Sequence, residues 1–197
     1  EVLRPCGVSI RSRILSVGNV ADGSPEEIEN EIMKARRDGD SVGGVVECVI
    51  SGLPAGVGEP VFGKLQQMLA GAMMSIGAVK GFEYGMGFDG VGARGSEVAD
   101  CFVADGEGRI STVTNNSGGI QGGISNGMDV VMRLAVKPTP TIGREMATVT
   151  DCGEPAVIKA GGRHDPCILP RILPVVEAMA AMVILDAMMM KNAIRQL

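Results

Sequence analysis

Residues Gly7 to Val20 alternate apolar and polar side chains, the two-residue period of a half-buried strand, with Val8, Ile10 and Ile14 as inward candidates. The pattern then turns helical. Ser24 reads as an N-cap, Pro25 as the first helical residue and Glu27 as the reciprocal partner in a capping box. This helix is predicted to run to Arg37 and stop at Gly39. A valine-rich strand follows over Val42 to Ile50, then a loop bearing glycine and proline over Gly52 to Glu59. From Pro60 to Ile76 the spacing predicts an amphipathic helix with Phe62, Leu65, Met68, Leu69 and Met73 on one side. Val79 to Tyr84 and Asp129 to Val136 predict strands, and weaker strand signals recur at Val98 to Val103 and Arg109 to Thr114. The last long helix is predicted from Pro170 or Leu173 to about Gln196.

Strands alternate with helices at first and cluster later, which favours a layered fold of the α+β class. At 197 residues and 45% hydrophobic content the chain is long enough for one sizeable domain, taken as residues 1–197. The apolar stretch Ile172 to Met190 invites comparison with a membrane span. Pro174, Glu177 and Asp186 interrupt it, whereas a span needs about 20 predominantly apolar residues. It is expected to be a buried core or interface helix.

The net charge of −5, with four Phe, one Tyr and no Trp, argues against nucleic acid as a partner. Cys6, Cys48, Cys101, Cys152 and Cys167 are scattered and never form a C-x-x-C pair. They read as buried free thiols of a reducing cytosol. A single histidine, His164, leaves no His-rich metal site. No signal peptide is visible, and Glu1 in place of an initiator methionine predicts a fragment, a processed product or a trimmed chain.

The chemistry concentrates later in the chain. Gly118-Gly119-Ile120-Gln121-Gly122-Gly123 holds four glycines in six positions, too many for a regular element and suited to bringing backbone N–H groups close to an anion. Fourteen residues on comes Lys137-Pro138-Thr139-Pro140-Thr141. Here the prolines fix φ, and a lysine and two hydroxyls offer what a phosphate needs. The glycine loop itself is neither a G-x-x-x-x-G-K-[ST] loop nor a G-x-G-x-x-G following a strand. In Gly162-Arg163-His164-Asp165-Pro166-Cys167, Arg163 reads as a grip on an oxyanion and Asp165 as a proton handler, or else as a cap for the following helix. Arg94-Gly95-Ser96-Glu97 and Asp38-Gly39-Asp40-Ser41-Val42-Gly43-Gly44 are weaker signals that also read as plain turns.

Taken in order, these segments resemble chorismate synthase. The resemblance includes Asp38 to Gly44, Gly58-Glu59-Pro60-Val61-Phe62, Met74 to Gly81, Arg94-Gly95-Ser96 and Asn115 to Ile120. It continues through the Gly122 loop, the lysine–threonine segment and Arg163 to Cys167, and closes with Glu177-Ala178-Met179. It implies a layered β-α-β sandwich, here only its C-terminal half or slightly more. It also implies a cytoplasmic homotetramer of the shikimate pathway that makes aromatic amino-acid precursors. The expected reaction is a lyase step converting 5-enolpyruvylshikimate 3-phosphate to chorismate and phosphate with reduced FMN, NADPH entering only in a bifunctional enzyme. By the same resemblance Gly77, Ala78, Gly122, Lys137, Pro138, Thr139, Pro140, Thr141 and Arg163 contact FMN, with Lys137 and the threonines at its phosphate. Arg163 and Asp165 meet the substrate, and Asp165 assists proton removal. The family's catalytic histidines and several substrate-binding arginines and serines belong to an N-terminal half whose motifs are missing, so the isolated chain is expected to be inactive. The alternative is a non-catalytic module that binds FMN or another anion. Thr114-Asn115-Asn116-Ser117 stands where the family often has Ser-Asn-His-Ala.

Overall fold

The computed structural model describes residues 3–195. Its centre is an antiparallel sheet of β1 (Ser9–Val17), β2 (Val20–Ala21), β3 (Gly44–Ser51), β4 (Val79–Tyr84) and β9 (Val130–Val136), in the order β2-β1-β3-β9-β4. The predicted strand over Gly7 to Val20 is a hairpin, because Gly18 at φ 55° reverses the chain after Val17. A register shift between Ile14 and Ser16 bends β1.

Alternation places Val46, Cys48 and Ile50 of β3 and Val130, Met132, Leu134 and Val136 of β9 on one buried face. Two helices cover that face. In α2 (Leu65–Met74), Leu65, Leu69 and Met73 recur every four residues and are all buried. In α4 (Leu169–Arg195), Leu169, Ile172, Val176, Ala180, Ile184 and Ala187 form the corresponding stripe. Segment Leu169–Ala193 is long and apolar enough to cross a membrane by length and composition alone. Its inner stripe is nevertheless part of the core, as expected, and the Glu177 carboxylate accepts from both the Ser12 N–H and its hydroxyl at 2.8 Å. Pro174 lies inside the first turns of α4. Residue 196 of the predicted helix lies outside the described residues.

On the opposite face of the sheet, charge alternates across four strands. Arg13 of β1 lies opposite Glu47 of β3, Glu47 opposite Arg133 of β9, and Arg133 opposite Glu83 of β4. The outer pairs close at 2.7 Å each, Arg13 Nε to Glu47 and Arg133 Nε to Glu83.

The first helix, α1 (Pro25–Arg37), follows its sequence signals. Ser24 Oγ accepts from the Glu27 N–H while the Glu27 carboxylate accepts from the Ser24 N–H at 2.7 Å. The second helix does not. It begins at Leu65, not Pro60, because Gly63 at φ 68° interrupts the run and the Leu65 N–H is taken by the Gly123 carbonyl at 2.8 Å. Phe62, predicted on the buried side, is 86% exposed.

The remaining elements are small. Val98, predicted to open a strand, ends the short α3 (Gly95–Val98), and the strand begins later as β5 (Phe102–Ala104), pairing with β6 (Ile110–Thr112). The glycine loop contains β7 (Ile120–Gln121) and β8 (Ile124–Ser125). A hairpin absent from the sequence reading, β10 (Glu145–Val149) with β11 (Pro155–Lys159), precedes α4. Among the described residues all five cysteines are free. Only Cys48 and Cys167 are buried, whereas Cys6, Cys101 and Cys152 lie in exposed turns and ribbons, which corrects the expectation of five buried thiols. Burial pushes the Cys48 thiol up to about 12, and the nearby Glu177 and Glu47 charges add to the effect, so it behaves as a core side chain.

Candidate functional site

One end of the sheet gathers the turn from α2 into β4, the start of β3, the end of β9 and the approach to α4. The turn carries Gly77 and Ala78. Ala78 holds φ 72° without being glycine, and its carbonyl accepts from the Lys137 N–H at 2.9 Å. A left-handed alanine costs about 1 kcal/mol, and such strain concentrates at functional positions. Nothing lies within 4 Å of where a side chain on Gly77 would begin, so the turn faces open space.

Lys137 therefore follows directly on β9 and beside Ala78. The segment Lys137 to Thr141 is then tied inward at Thr139. The Thr139 carbonyl accepts from Ser41 Oγ at 2.6 Å, and Thr139 Oγ1 donates to the Asp165 carbonyl at 2.9 Å. The Val42 N–H reaches the Pro166 carbonyl at 2.8 Å, so the Asp38–Gly44 segment is stitched to both other segments. It can approach so closely because Gly43 has no side chain: a Cβ there would collide with the Val136 carbonyl and crowd Pro138 N at 2.8 Å. This turn, a weak signal in the sequence, is the seam of the site.

Asp165 is half-buried, and its Oδ2 meets Arg171 Nη1 at 2.6 Å. His164 Nε2 lies 3.1 Å from the Ala160 carbonyl, four residues back. Lys137, Arg163 and Thr141 are exposed, and among the described residues neither cation has an ion-pair partner. The hydroxyl proton of Thr139 is committed to Asp165. Of the groups expected at the flavin phosphate, Lys137 and Thr141 remain available, as does Arg163, which is expected against the flavin and the substrate anion.

Gly122 is elsewhere. The glycine loop sits at the opposite end of β9, a seven-residue strand or roughly 20 Å away. Three of its four glycines serve backbone packing, contrary to the sequence reading. A Cβ on Gly118 would strike Gly85, one on Gly119 would strike the Asp129 carbonyl, and one on Gly123 would meet Glu59. Only Gly122, at φ 63°, faces open space. The structure thus brings together Gly77, Ala78, Lys137, Thr139 and Asp165, and leaves Gly122 apart from them.

The glycine loop has its own anchor. Asp100 is 8% exposed and accepts from Thr114 Oγ1 at 2.6 Å, the Asn116 N–H at 2.8 Å and the Ser117 N–H at 2.7 Å. Burial pushes its carboxyl up, but these bonds and the Ser117 hydroxyl outweigh that and hold it below the ordinary value. Asn115 completes the clamp, accepting from the Gly119 N–H and donating to the Asp129 carbonyl, each at 2.8 Å. Beside it opens a cleft of about 470 Å³ lined by Tyr84, Met86, Val91, Val98, Asn116 and Ser117. A groove of about 570 Å³ between β1 and α4 holds none of the expected site residues.

Sequence reasoning missed Arg171, Asp100 and the seam role of Ser41. A legible signal existed for Arg171: a basic residue in the first turn of a helix that has no acidic residue there.

The architecture is an α+β fold with two cations, Lys137 and Arg163, unpaired among the described residues, and a strained, open turn at Ala78. Comparison with known proteins then defines the family. The chorismate synthase family profile matches residues 1–189. Chorismate synthase of Cytophaga hutchinsonii is 54% identical over 164 residues, covering 83% of this chain and 46% of that protein. The enzyme of Gloeothece citriformis is 59% identical over 155 residues, covering 79% and 43% respectively. A crystal structure of chorismate synthase superposes with a TM-score of 0.77 at 28% identity, covering 96% of this chain and 59% of that one. The chain belongs to the chorismate synthase family. It spans a little under half the length of the curated relatives it matches.

Proposed function

We propose that this chain supplies the flavin-phosphate grip and the proton-handling carboxylate of a chorismate synthase. That enzyme would convert 5-enolpyruvylshikimate 3-phosphate to chorismate and phosphate. The observation carrying the reading is the convergence of three distant segments at one sheet end, through Lys137 N–H to Ala78 and Thr139 Oγ1 to Asp165.

The residues present fit FMN. Its phosphate is doubly charged, and Lys137 and Arg163 are unpaired cations in a chain of net charge −5. Gly77 and Gly122 are places where a planar ligand could approach the backbone, since no neighbouring atom fills the space a Cβ would point into. Lys137, Pro138, Thr139, Pro140 and Thr141 would frame the phosphate, with Lys137 as the point charge and Thr141 as the free hydroxyl. The chemistry that bound reduced FMN would supply is electron density toward loss of the substrate phosphate, with no net redox change. Arg163 would hold an anionic group of the substrate by its planar fork of donors. Asp165 would accept the ring proton directly or orient the group that does.

The separation of Gly122 from Lys137 supports a homo-oligomer, a tetramer by family resemblance, in which Gly122 serves a site other than the one beside its own Lys137. We read the chain as a single domain, the C-terminal portion of a β-α-β sandwich, in a cytoplasmic enzyme. The second reading is a module that binds FMN or another anion without turnover, a role for which the unpaired Lys137 and Arg163 suffice.

The deciding experiment is an anaerobic fluorescence titration of this chain with oxidised and reduced FMN, with and without the phosphorylated substrate. Saturable binding by the chain together with chorismate formation by the intact enzyme supports the enzyme, and binding without turnover in either supports the module. No binding by a cooperatively folded chain would overturn both.

A further inference from the structure

Arg171 is the residue of this site that local rules disfavour. It sits in the first turn of α4, where the unpaired N–H groups make the helix end positive, and that turn contains no acidic residue. Its guanidinium is 73% exposed. An ion pair that exposed contributes little to stability, so folding alone does not account for it. What it does is grip Asp165 Oδ2 at 2.6 Å. Thr139 Oγ1 holds the main-chain carbonyl of the same residue at 2.9 Å. Asp165 is thus pinned at both ends, its backbone to the lysine–threonine segment and its carboxylate to the core helix. The pinning helix is rigid, because Leu169 and Ile172, on either side of Arg171, are buried in the core.

We propose that Arg171 is a positioning residue. It sets the direction of the Asp165 carboxylate relative to the Lys137–Thr141 segment, so that one carboxylate oxygen is held and the other is left to meet the reacting proton. The inference rests on the reading of Asp165 given under Proposed function. It adds that a side chain touching neither substrate nor cofactor governs how well Asp165 works. A carboxylate free to rotate would spend most of its time misaligned, and misplacement by about 1 Å is enough to slow an enzyme on the order of a hundredfold.

The test is a double-mutant cycle in the intact enzyme with reduced FMN, comparing the unsubstituted protein with Arg171→Gln, Arg171→Lys, Asp165→Asn and the Arg171→Gln/Asp165→Asn pair. Arg171→Gln is expected to lower kcat about tenfold or more, with KM and FMN affinity within about twofold. Arg171→Lys, which keeps a cation within reach, is expected to recover most of the loss. In the Asp165→Asn background, Arg171→Gln should cost nothing further, because there is no carboxylate left to aim. Independent losses that multiply in the pair would make Arg171 a structural residue and overturn the proposal. An unchanged kcat in Arg171→Gln would do the same, as would an effect confined to KM, which would make Arg171 a substrate ligand. If Arg171→Gln fails to fold, Arg171→Lys decides alone: full recovery of fold with kcat still down more than tenfold contradicts positioning by charge. An intact, unsubstituted enzyme without turnover would overturn the functional reading itself, and this proposal with it.

Discussion

The hydroxyl of Thr139 donates to the main-chain carbonyl of Asp165 at 2.9 Å, although 26 positions separate the two in sequence. A hydroxyl has one proton, so this bond removes Thr139 as a donor to any phosphate and turns it into a strap between two loops. The burden of holding an anion shifts to the unpaired cations, and first to Lys137.

Replacing Lys137 with Ala should weaken FMN binding by about tenfold to a hundredfold, the worth of a charge-assisted contact. Riboflavin, which has no phosphate, should bind the variant and the parent alike. Parallel titrations with the two flavins check this, and an equal loss for both would remove Lys137 from the phosphate.

Asp100 makes stability depend on acid. Its folded pKa lies below the ordinary 3.8, so its contribution is fully present above that value and is lost as pH falls through the folded pKa. Asp100→Asn should cost roughly 2 kcal/mol at neutral pH, because an amide NH₂ would face donors that the carboxylate now accepts from. The gap between parent and variant should begin to narrow only below about pH 4 and close below the folded pKa. Urea melts from pH 7 down to about pH 2 measure it, and a gap that did not narrow at all across that range would mean the carboxylate charge is not the cause.

The glycine loop separates packing from binding. Gly119→Ala should destabilise the chain severely, since its Cβ would enter the Asp129 carbonyl. Gly122→Ala should cost only about 1 kcal/mol for its left-handed backbone, having no neighbour to strike. Thermal melts of the two variants should differ by many degrees. Similar melting points would contradict the division.

The charge ladder across the outer face of the sheet gives a register test. Glu47 lies opposite both Arg13 and Arg133. Glu47→Lys sets like charges against each other on both sides and should cost about 1–2 kcal/mol, partly recovered in high salt. Glu47→Gln should cost less than half as much. Denaturant midpoints for the two variants at low and high salt provide the measurement.

Where sequence signals were local, they were legible. The Ser24–Glu27 capping box is reciprocal hydrogen bonding within four residues, and it forms as its spacing demands. The strand at Val79 to Tyr84 appears with its predicted bounds. Phe62 shows the limit of periodicity: it fits the helical spacing of Leu65 and Leu69, but a positive φ at Gly63 ends the element before it. The hairpin at residues 145–159 went unread because Pro155 opens its second strand and its short, largely exposed strands show no clean alternation of buried and exposed sides.

By itself the sequence determined the first helix and the long last one, the inward faces of the central strands and the family, since each is written in spacing over a few residues or in ordered motifs. The tertiary structure alone decided which glycines pack and which stay open, that Thr139 is a strap, that Arg171 grips Asp165 and that Gly122 lies a strand's length from Lys137. The physical reason is that three of them depend on contacts between segments distant in the chain, and the Arg171–Asp165 pair, six positions apart, depends on where the docked α4 holds Arg171. Those contacts are fixed by the antiparallel register of β3 and β9 and by the docking of α2 and α4 on one buried face.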